Sequence, residues 1–393
     1  MWIIIMNVGI DKMSFYSSDM YLDMVDLANA RNEDPNKYLI GIGQKKQAVI
    51  PNTQDVVTMA ANACTKIIDD DNRKKIDLII FGTETGVDNS KSAAIYLQNM
   101  LGLNRRARAF EIKQACYGAT AGLQMAKEYV QNHPERQALV IGADIARYGI
   151  KTPGEVTQGG GAVAMVISAN PLIAEFDGPS TFYSDDVMDF WRPLYRTEAV
   201  VDGHYSNDVY VDFFKKTWDE YKEITGQTIA DFKAMTFHLP YPKMGIKALR
   251  SIIDEADEEQ QANLKKEFEQ GRIYNENVGN LYTGSLYLNF LSLINNSDDL
   301  QSGDRIALFS YGSGAQGEFF PMKLRDNFRN DELAKSLDDA LKSRKQVSVE
   351  EYEEIFTNWI PIADGDIKLD TSNDKAEFFL EGVKDHQRIY GRK

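Results

Sequence analysis

The stretch Glu111-Ile112-Lys113-Gln114-Ala115-Cys116-Tyr117-Gly118-Ala119-Thr120-Ala121-Gly122 is the part of the chain that best indicates its fold. A strand-like run, 107–113, leads directly into small residues that favour the start of a helix. Helix N-termini carry free N–H groups and partial positive charge, so a thiol placed there is expected to shift toward the thiolate. A buried structural cysteine is the ordinary alternative, because free cysteines are among the most buried residues.

Strand and helix patterns alternate on both sides of this stretch. Strands are predicted near 3–10, 76–81, 107–112, 138–142, 162–167, 172–176, 234–239, 305–309 and 318–322. Helices are predicted near 55–68, 91–101, 119–130, 207–224 and 282–294. This alternation predicts an α/β protein with buried strands. Residues 254–271 are expected to form an exposed helix, 69–75 a charged turn, and the tail beyond Arg325 a charged helical segment.

The pattern restarts after Asn170-Pro171, which suggests a duplication. The apolar run 138–142 precedes Gly159-Gly160-Gly161 and a second apolar run, and the run 306–310 precedes Gly312-Ser313-Gly314 and another. Two halves that close with the same pair of strands would explain both. We therefore predict two domains, residues 1–170 and 171–393.

The composition excludes several classes of protein. The 393 residues include 59 acidic and 44 basic ones, a net charge of −15, so the surface is expected to repel nucleic acids. Two cysteines and four scattered histidines form no ligand cluster, so no metal site is predicted. Residues 1–6 are apolar but too few for a signal core or a membrane span. A soluble, cytoplasmic chain without membrane contact is expected.

Three polar residues at predicted element ends are candidates for chemistry. Glu84 follows one apolar run, His238 ends another before two prolines, and Cys116 begins a helix. Functional groups of α/β proteins cluster at strand ends, so the three suit one shared pocket. Each also has an ordinary alternative: a solvated carboxylate, a core histidine or a buried cysteine. The glycine-rich turns match no nucleotide-binding motif.

The motifs around these residues resemble those of the 3-hydroxy-3-methylglutaryl-CoA synthase family. Gly-Thr-Glu-Thr contains Glu84, Gln-Ala-Cys-Tyr-Gly-Ala-Thr-Ala contains Cys116, and Phe-His-Leu-Pro-Tyr contains His238. Val-Gly-Asn-Leu-Tyr-Thr-Gly-Ser at 278–285 and Phe-Ser-Tyr-Gly-Ser-Gly at 309–314 also match. The resemblance covers roughly residues 8–324 and looks like the bacterial branch of the mevalonate (isoprenoid) pathway. One departure is Gln114, where many relatives carry Glu.

The resemblance implies a thiolase-like αβαβα layered fold with two similar halves, a homodimer and an acyltransferase. Cys116 would attack acetyl-CoA and become acetylated. Glu84 would remove a proton from the acetyl methyl group, and the enolate would attack acetoacetyl-CoA, which His238 binds. Water would then release 3-hydroxy-3-methylglutaryl-CoA. The CoA thioesters are substrates, and no cofactor is implied.

The resemblance also implies a set of substrate contacts. They are Asp34, Tyr148, Thr157, Ser206, Lys243, Lys247, Asn280 and Ser313. Asn280 and Ser313 would contact the acetoacetyl or hydroxymethylglutaryl portion, and Lys243 and Lys247 would hold CoA phosphates. A solvated helix face is the alternative for the two lysines. The backbone N–H groups of Cys116 and Ser313 are our candidate donors to the oxyanion.

Three other functions are compatible with parts of this pattern. A ketoacyl-carrier-protein condensing enzyme of the same superfamily would use a Cys-His-Asn set, but it would not need Glu84, because decarboxylation makes its carbanion. A β-branching synthase would take its acceptor from an acyl carrier protein, and the two lysines fit either acceptor. A non-catalytic relative would have lost the reaction, and the intact set of Glu84, Cys116 and His238 speaks against it.

Overall fold

The structure, a computed structural model, describes residues 7–358 and 365–393. Its strands are β1 Val8–Tyr16, β2 Met20–Asp23, β3 Lys46–Ala48, β4 Ile76–Gly82, β5 Arg108–Ile112, β6 Gln137–Ala146, β7 Gly159–Ala169, β8 Ala174–Phe176, β9 Thr181–Ser184, β10 Phe190–Trp191, β11 Val200–Val201, β12 Ala234–Phe237, β13 Arg305–Gly312, β14 Gln316–Leu324, β15 Lys345–Gln346, β16 Ile367–Lys368, β17 Phe378–Lys384 and β18 Gln387–Arg392. Its α-helices are α1 Met24–Ala30, α2 Val56–Cys64, α3 Asn72–Lys75, α4 Ala93–Met100, α5 Gly118–Asn132, α6 Gly203–Thr225, α7 Met244–Arg250, α8 Glu258–Gly271, α9 Ile273–Val278, α10 Ser285–Asn296, α11 Asp331–Lys342 and α12 Val349–Thr357.

The principal sheet has the strand order β12-β13-β14-β8-β1-β7-β6-β4-β5. In the N-terminal part, β4 runs parallel to β6 and β6 antiparallel to β7. In the C-terminal part, β12 runs parallel to β13 and β13 antiparallel to β14. The two parts meet where β1 pairs with β8 through two residue pairs. The chain therefore has two similar halves, as the repeated strand-and-glycine pattern predicts.

Both faces of each half-sheet are covered, and the alternation of side chains shows how. Along β6, Ala138 and Val140 join the cluster shared by both halves, whereas Leu139 and Ile141 join the cluster beneath α2 and α4. The side chains of β13 alternate in the same way. Ile306 and Leu308 join the shared cluster, whereas Ala307 and Phe309 join the cluster that contains α6 and α7. Strands buried on both faces have continuous apolar sequences, which the sequence pattern displays.

Two helices lie within the shared cluster. All residues from Ser285 to Ile294 of α10 are buried, which is typical of a helix enclosed on every side. In α5 the buried positions include Ala119, Leu123, Ala126 and Val130, spaced to form one apolar stripe. The result is the thiolase-like arrangement of helices, half-sheet, helices, half-sheet and helices. It places the start of α5 at the junction between the halves.

Several predicted elements differ from the structure. The helix at 258–271 is not exposed on all sides, because its buried Leu264 and Phe268 pack in the cluster that contains β12. The charged turn contains a short helix, α3. Beyond Arg325 the chain forms α11 and α12 but also the hairpin of β17 and β18. The predicted first strand begins at Val8 in the structure, and residues 1–6 lie outside the described part.

Candidate active site

A cavity of about 740 Å³ opens between the two halves. It brings together most of the site residues that the sequence predicts. These are Cys116, Tyr148, Thr157, Ser206, His238, Lys247, Asn280 and Ser313. Glu84 reaches the cavity through its contact with Cys116. Asp34 and Lys243 are not among the residues that line it.

Cys116 lies on the turn before α5, two residues ahead of the first helical residue, Gly118. Ala115 adopts φ +41° in the left-handed region, a strained conformation for a residue with a side chain. The helix start packs tightly over the end of β4, since a Cβ on Gly82 would lie 2.5 Å from the backbone nitrogen of Ala119. The small residues therefore hold the nucleophile turn against the strand end.

The expected shift of Cys116 toward thiolate is wrong for the free protein. Burial raises the pKa of the Cys116 thiol well above its ordinary value, and the negative charges of Glu84, Asp144 and Asp189 raise it further. Helix dipoles act mainly on groups within the first turn, and Cys116 precedes that turn. Desolvation and three carboxylates outweigh the dipole, so the resting residue is a neutral thiol.

Asp144 fixes the backbone of the loop that carries Glu84. One oxygen of this buried carboxylate, Oδ1, accepts hydrogen bonds from the backbone N–H of Glu84 at 2.8 Å and of Thr85 at 2.9 Å. The hydroxyls of Thr83 and Thr85 donate to the same oxygen, each at 2.8 Å. The other oxygen accepts from the N–H and hydroxyl of Thr283 in the C-terminal half. Asp144 thus joins the base loop to the opposite half.

Glu84 has the properties of a partly buried base. Its Oε1 lies 3.4 Å from the Sγ of Cys116. Burial, followed by the charge of Asp144, raises the pKa of Glu84 to about 8, against the opposing effect of Arg192. Arg192 also donates a hydrogen bond to the backbone carbonyl of Glu84. A carboxylate of raised pKa is a stronger base than one in water, which suits proton removal from carbon.

His238 is a neutral imidazole on the cavity wall. Burial lowers the pKa of His238 to about 3. Its backbone is fixed on both sides, because its N–H donates to the Phe309 carbonyl at 2.8 Å and its carbonyl accepts from the Tyr210 hydroxyl at 2.7 Å. Its Nδ1 is buried and has no partner among the described residues. A neutral imidazole in this position can donate or accept one hydrogen bond with a bound molecule.

Asn280 presents an amide N–H₂ group at the cavity wall. Its Oδ1 accepts from the backbone N–H of Tyr282 at 2.8 Å and from the Ser285 hydroxyl at 2.9 Å. Its Nδ2 donates to the Tyr148 hydroxyl at 3.2 Å. Because the oxygen is fully engaged on the protein side, the nitrogen must face the cavity, where it is a donor for a carbonyl.

The turn after β13 brings Ser313 next to the nucleophile. A Cβ on Gly312 would lie 2.6 Å from the Gln114 carbonyl oxygen and from the Tyr117 Cβ, so only glycine allows this approach. Asp189 accepts from the N–H of Gly314 at 2.9 Å and so holds the other end of the turn. The backbone of the Ser313 turn is therefore fixed close to the turn that carries Cys116.

Charged side chains lie around the open end of the cavity. Lys247 is exposed and lines the cavity, with its Nζ 2.7 Å from the Tyr241 hydroxyl. Arg196 and His204 line the same region. Lys243 is half-buried at the N-cap of α7, one turn from Lys247, and Asp34 is an exposed loop residue that accepts from the Asn36 N–H. The mouth offers cations that suit phosphate groups.

Sequence reasoning missed two carboxylates of the site. Asp189 accepts hydrogen bonds from the hydroxyls of Ser206 at 3.0 Å and Tyr311 at 2.8 Å, both of which line the cavity. Asp144 follows the predicted strand 138–142, and a carboxylate directly after an apolar run is the same signal that identified Glu84. Asp144 could have been found by applying that signal throughout the chain, whereas Asp189 follows no apolar run.

Comparisons with known proteins identify one family over nearly the whole chain. A family model described as hydroxymethylglutaryl-coenzyme A synthase N terminal matches residues 5–171, and its C-terminal counterpart matches 175–271 and 253–393. The chain is 44% identical over 385 residues to the hydroxymethylglutaryl-CoA synthase of Enterococcus faecalis, covering 98% of this chain and 100% of that protein.

Two further proteins are similar over nearly the whole chain. A crystal structure of HMG-CoA synthase complexed with CoA superposes with a TM-score of 0.96 at 43% identity, covering 99% of this chain and 100% of the other. The polyketide biosynthesis 3-hydroxy-3-methylglutaryl-ACP synthase of Bacillus subtilis is 31% identical over 417 residues, covering 98% of this chain and 99% of that protein.

Proposed function

The chain belongs to the hydroxymethylglutaryl-CoA synthase family, and from that premise we propose how its own residues divide the work of the reaction. The activity is a condensing acyl transfer. Acetyl-CoA, acetoacetyl-CoA and water give 3-hydroxy-3-methylglutaryl-CoA and CoA, a step of the mevalonate pathway. The observation that carries the assignment of roles is the 3.4 Å contact of Cys116 Sγ with Glu84 Oε1 at the cavity.

The first step is acetylation of Cys116. Because the resting sulfur is a thiol, a base must take its proton as it attacks the acetyl thioester. Glu84 is the group in contact with that thiol, so it accepts the proton and then returns it to the departing CoA thiolate. The sulfur forms a new thioester as the bond to CoA sulfur breaks. Acetyl-Cys116 and a free carboxylate on Glu84 remain.

The second step forms the carbon–carbon bond. The Glu84 carboxylate takes a proton from the acetyl methyl group, and the enolate carbon adds to the ketone carbon of acetoacetyl-CoA. The neutral imidazole of His238 holds the ketone oxygen through a hydrogen bond, and the Asn280 amide is a second donor on the same wall. The methyl group loses one proton and the new alkoxide gains one proton, so condensation needs no external acid.

The last step is hydrolysis of the thioester to Cys116. Water attacks the thioester carbonyl and the bond to sulfur breaks. One hydrogen of the water ends on the Cys116 thiol, and the other is released as a proton, which leaves a free carboxylate on the product. The backbone N–H groups of Cys116 and Ser313 are the donors that we assign to the oxyanion of this step and of acetylation. The close approach enforced at Gly312 supports that assignment, because it fixes the two turns against each other.

The acceptor is proposed to be a CoA thioester rather than a carrier-protein thioester. Lys247 and the half-buried Lys243 at the mouth suit the phosphates of CoA, and Arg196 adds a third cation. The identity of 44% to a CoA-dependent relative exceeds the 31% to a relative named for an acyl carrier protein. Asp34 remains a proposed contact at the outer end of CoA.

A homodimer and the absence of a cofactor are part of the same proposal. Strand β5 is the last strand on one edge of the principal sheet, and a free edge offers N–H and C=O groups to a second copy. Light scattering should give twice the chain mass of 44.4 kDa.

No helix of residues 7–358 and 365–393 is long and apolar enough to cross a membrane. A cytoplasmic location stays an expectation.

The experiment that tests the assignment compares Glu84→Ala with the unchanged protein. The acetyl group from acetyl-CoA would still reach Cys116 in the variant, at a reduced rate, whereas product formation from acetoacetyl-CoA would fall by about 10²- to 10⁴-fold, the usual contribution of a general base. Product formation at the normal rate would place the base elsewhere. The same assay with the acetoacetyl group carried by an acyl carrier protein, in place of acetoacetyl-CoA, tests the alternative class of acceptor.

A further inference from the structure

Helix α12 of the C-terminal segment packs behind one wall of the cavity. We call residues 148–158 the wall loop, because Tyr148, Thr152 and Thr157 from this loop line the cavity. On its far side the loop meets Tyr352 of α12, which is 3% exposed. The Tyr352 ring packs in a satellite cluster with Val156 of the wall loop.

A relay of hydrogen bonds joins Tyr352 to the wall loop through Gln158. The Gln158 Oε1 accepts from the backbone N–H of Tyr148 at 2.7 Å and of Gly149 at 3.1 Å. Its Nε2 donates to the Tyr352 hydroxyl oxygen at 2.6 Å. Backbone N–H groups can only donate, so the amide oxygen must face them and the amide nitrogen must face Tyr352. The orientation of Gln158 is thereby fixed.

The hydroxyl hydrogen of Tyr352 has its own acceptor. Because the oxygen of Tyr352 accepts from Gln158, its hydrogen is available for the Glu155 Oε1 at 3.2 Å. Glu155 in turn accepts two hydrogen bonds from the Arg31 guanidinium, at 2.7 and 2.8 Å, and one from the backbone N–H of Lys151 at 2.9 Å. A single hydroxyl therefore contacts two side chains of the wall loop, Glu155 and Gln158, and Gln158 in turn binds the backbone at the start of the loop.

Tyr148 connects the wall loop to the substrate site. The Tyr148 hydroxyl accepts from the Asn280 amide at 3.2 Å. Its ring meets those of Phe190 and Tyr282 edge to face, with centroids 5.9 and 6.1 Å away. A shift of the Tyr148 backbone would therefore move the ring on the cavity wall and the hydroxyl that engages Asn280.

We propose that Tyr352 is a positioning residue for substrate binding, acting through Gln158 on the backbone of Tyr148. The inference rests on the proposed function insofar as the cavity holds the acyl-CoA substrates. It gives the C-terminal segment a role in the reaction although α12 supplies no residue that lines the cavity. Removing the hydroxyl leaves a buried amide N–H₂ without its acceptor, which frees Gln158 to turn and release the two backbone N–H groups.

The test is Tyr352→Phe in the full chain, with Tyr21→Phe as the matched control. Tyr21 also contacts the C-terminal segment, through its hydroxyl and Gln346 at 3.2 Å, but takes no part in the relay. The KM for acetoacetyl-CoA is expected to rise about tenfold in Tyr352→Phe, with kcat changed less than about threefold, as for lost positioning in the bound state. The control should match the unchanged protein in both constants.

Amide hydrogen exchange gives a readout that a general loss of stability would not produce. The amides of Tyr148 and Gly149 are expected to exchange about tenfold faster in Tyr352→Phe, while those of α5 keep their rates. Gln158→Leu removes the relay from the other side and should give the same pattern. Unchanged KM and unchanged exchange at the two amides in both variants would overturn the inference, as would faster exchange spread evenly over the chain.

The outcomes separate this inference from the proposed function. Failure of Cys116 to become acetylated in the unchanged protein would overturn the proposed function, and the exchange rates of Tyr148 and Gly149 would still test the relay. Normal acetylation together with unaltered constants in Tyr352→Phe would overturn the positioning role alone.

Discussion

Cys116 Sγ lies 3.4 Å from Glu84 Oε1, and the two side chains reach that contact from separate segments of the N-terminal half. Glu84 follows β4, and Cys116 follows β5 on the turn before α5. Burial raises the pKa of both groups. The contact therefore joins a weakly acidic thiol to an unusually basic carboxylate, and proton transfer between them requires no other residue.

The raised pKa of Glu84 predicts how the condensation step depends on pH. Only the ionised carboxylate can take the methyl proton, so the rate from preformed acetyl-enzyme should rise with pH and level off above about 8. Single-turnover measurements with acetoacetyl-CoA across this range check the profile. A rate that is constant from about pH 6 to about pH 9 would contradict it.

The charge of Glu84 predicts the direction of a change at Cys116. Replacing Glu84 by glutamine removes one of the negative charges that raise the pKa of Cys116, so the thiolate should form at lower pH in Glu84→Gln. The ultraviolet absorbance of the thiolate measures this titration. Cys64→Ser is the background for both proteins, because it removes the other cysteine. An unchanged or higher pKa in Glu84→Gln would contradict the electrostatic explanation.

The network around Asp144 predicts that an isosteric change will disrupt the base loop. In Asp144→Asn an amide N–H₂ group replaces one of the two acceptor oxygens that serve Thr83–Thr85 and Thr283. Condensation should slow by about 10- to 100-fold, because buried donors lose their acceptor and Glu84 is misplaced. Asp77→Asn is the control, since Asp77 lies at the other end of β4 from Glu84, where it accepts from the Tyr129 hydroxyl at 2.8 Å and pairs with Arg136 at 3.5 Å.

That prediction also requires the two steps to respond differently. Loss of Asp144 also removes a negative charge that raises the pKa of Cys116, so acetylation should slow less than condensation. Rapid-quench measurement of both steps separates them. Equal losses in the two steps, or an equal loss in the Asp77→Asn control, would assign Asp144 a role in folding only.

The approach of two turns predicts the effect of a single methyl group. In Gly312→Ala the new Cβ would meet the Gln114 carbonyl oxygen and the Tyr117 Cβ at 2.6 Å, so the Ser313 turn must move away from Cys116. A displacement of this kind typically costs about 10²-fold in rate. Turnover of Gly312→Ala at the normal rate would contradict the assignment of the oxyanion donors.

The architecture follows from sequence features that act locally. Apolar runs such as 138–142 predict a strand that is covered on both faces. The recurrence of such a run in the second half indicates the duplication. The helix at 258–271 is less exposed than the sequence predicts, because Leu264 and Phe268 lie one turn apart among many charged residues and pack inward. Composition alone cannot show a narrow apolar face.

The candidate site was predictable where a residue stands at the end of an apolar run, as Glu84 and His238 do. The pKa of Cys116 was not, because it depends on burial and on carboxylates from three distant parts of the sequence. The relay from Tyr352 could not be predicted from the sequence either. Gln158 and Tyr352 are 194 residues apart in the chain, and nothing in the local sequence of α12 indicates its partner.

The most direct measurement is the intact mass of the protein after brief exposure to acetyl-CoA, followed by peptide mapping and a chase with acetoacetyl-CoA. The proposed mechanism predicts an acetyl group on Cys116 that disappears as 3-hydroxy-3-methylglutaryl-CoA is released, and no acetyl group in Cys116→Ser. An acetyl group that persists through the chase, or full turnover by Cys116→Ser, would contradict it.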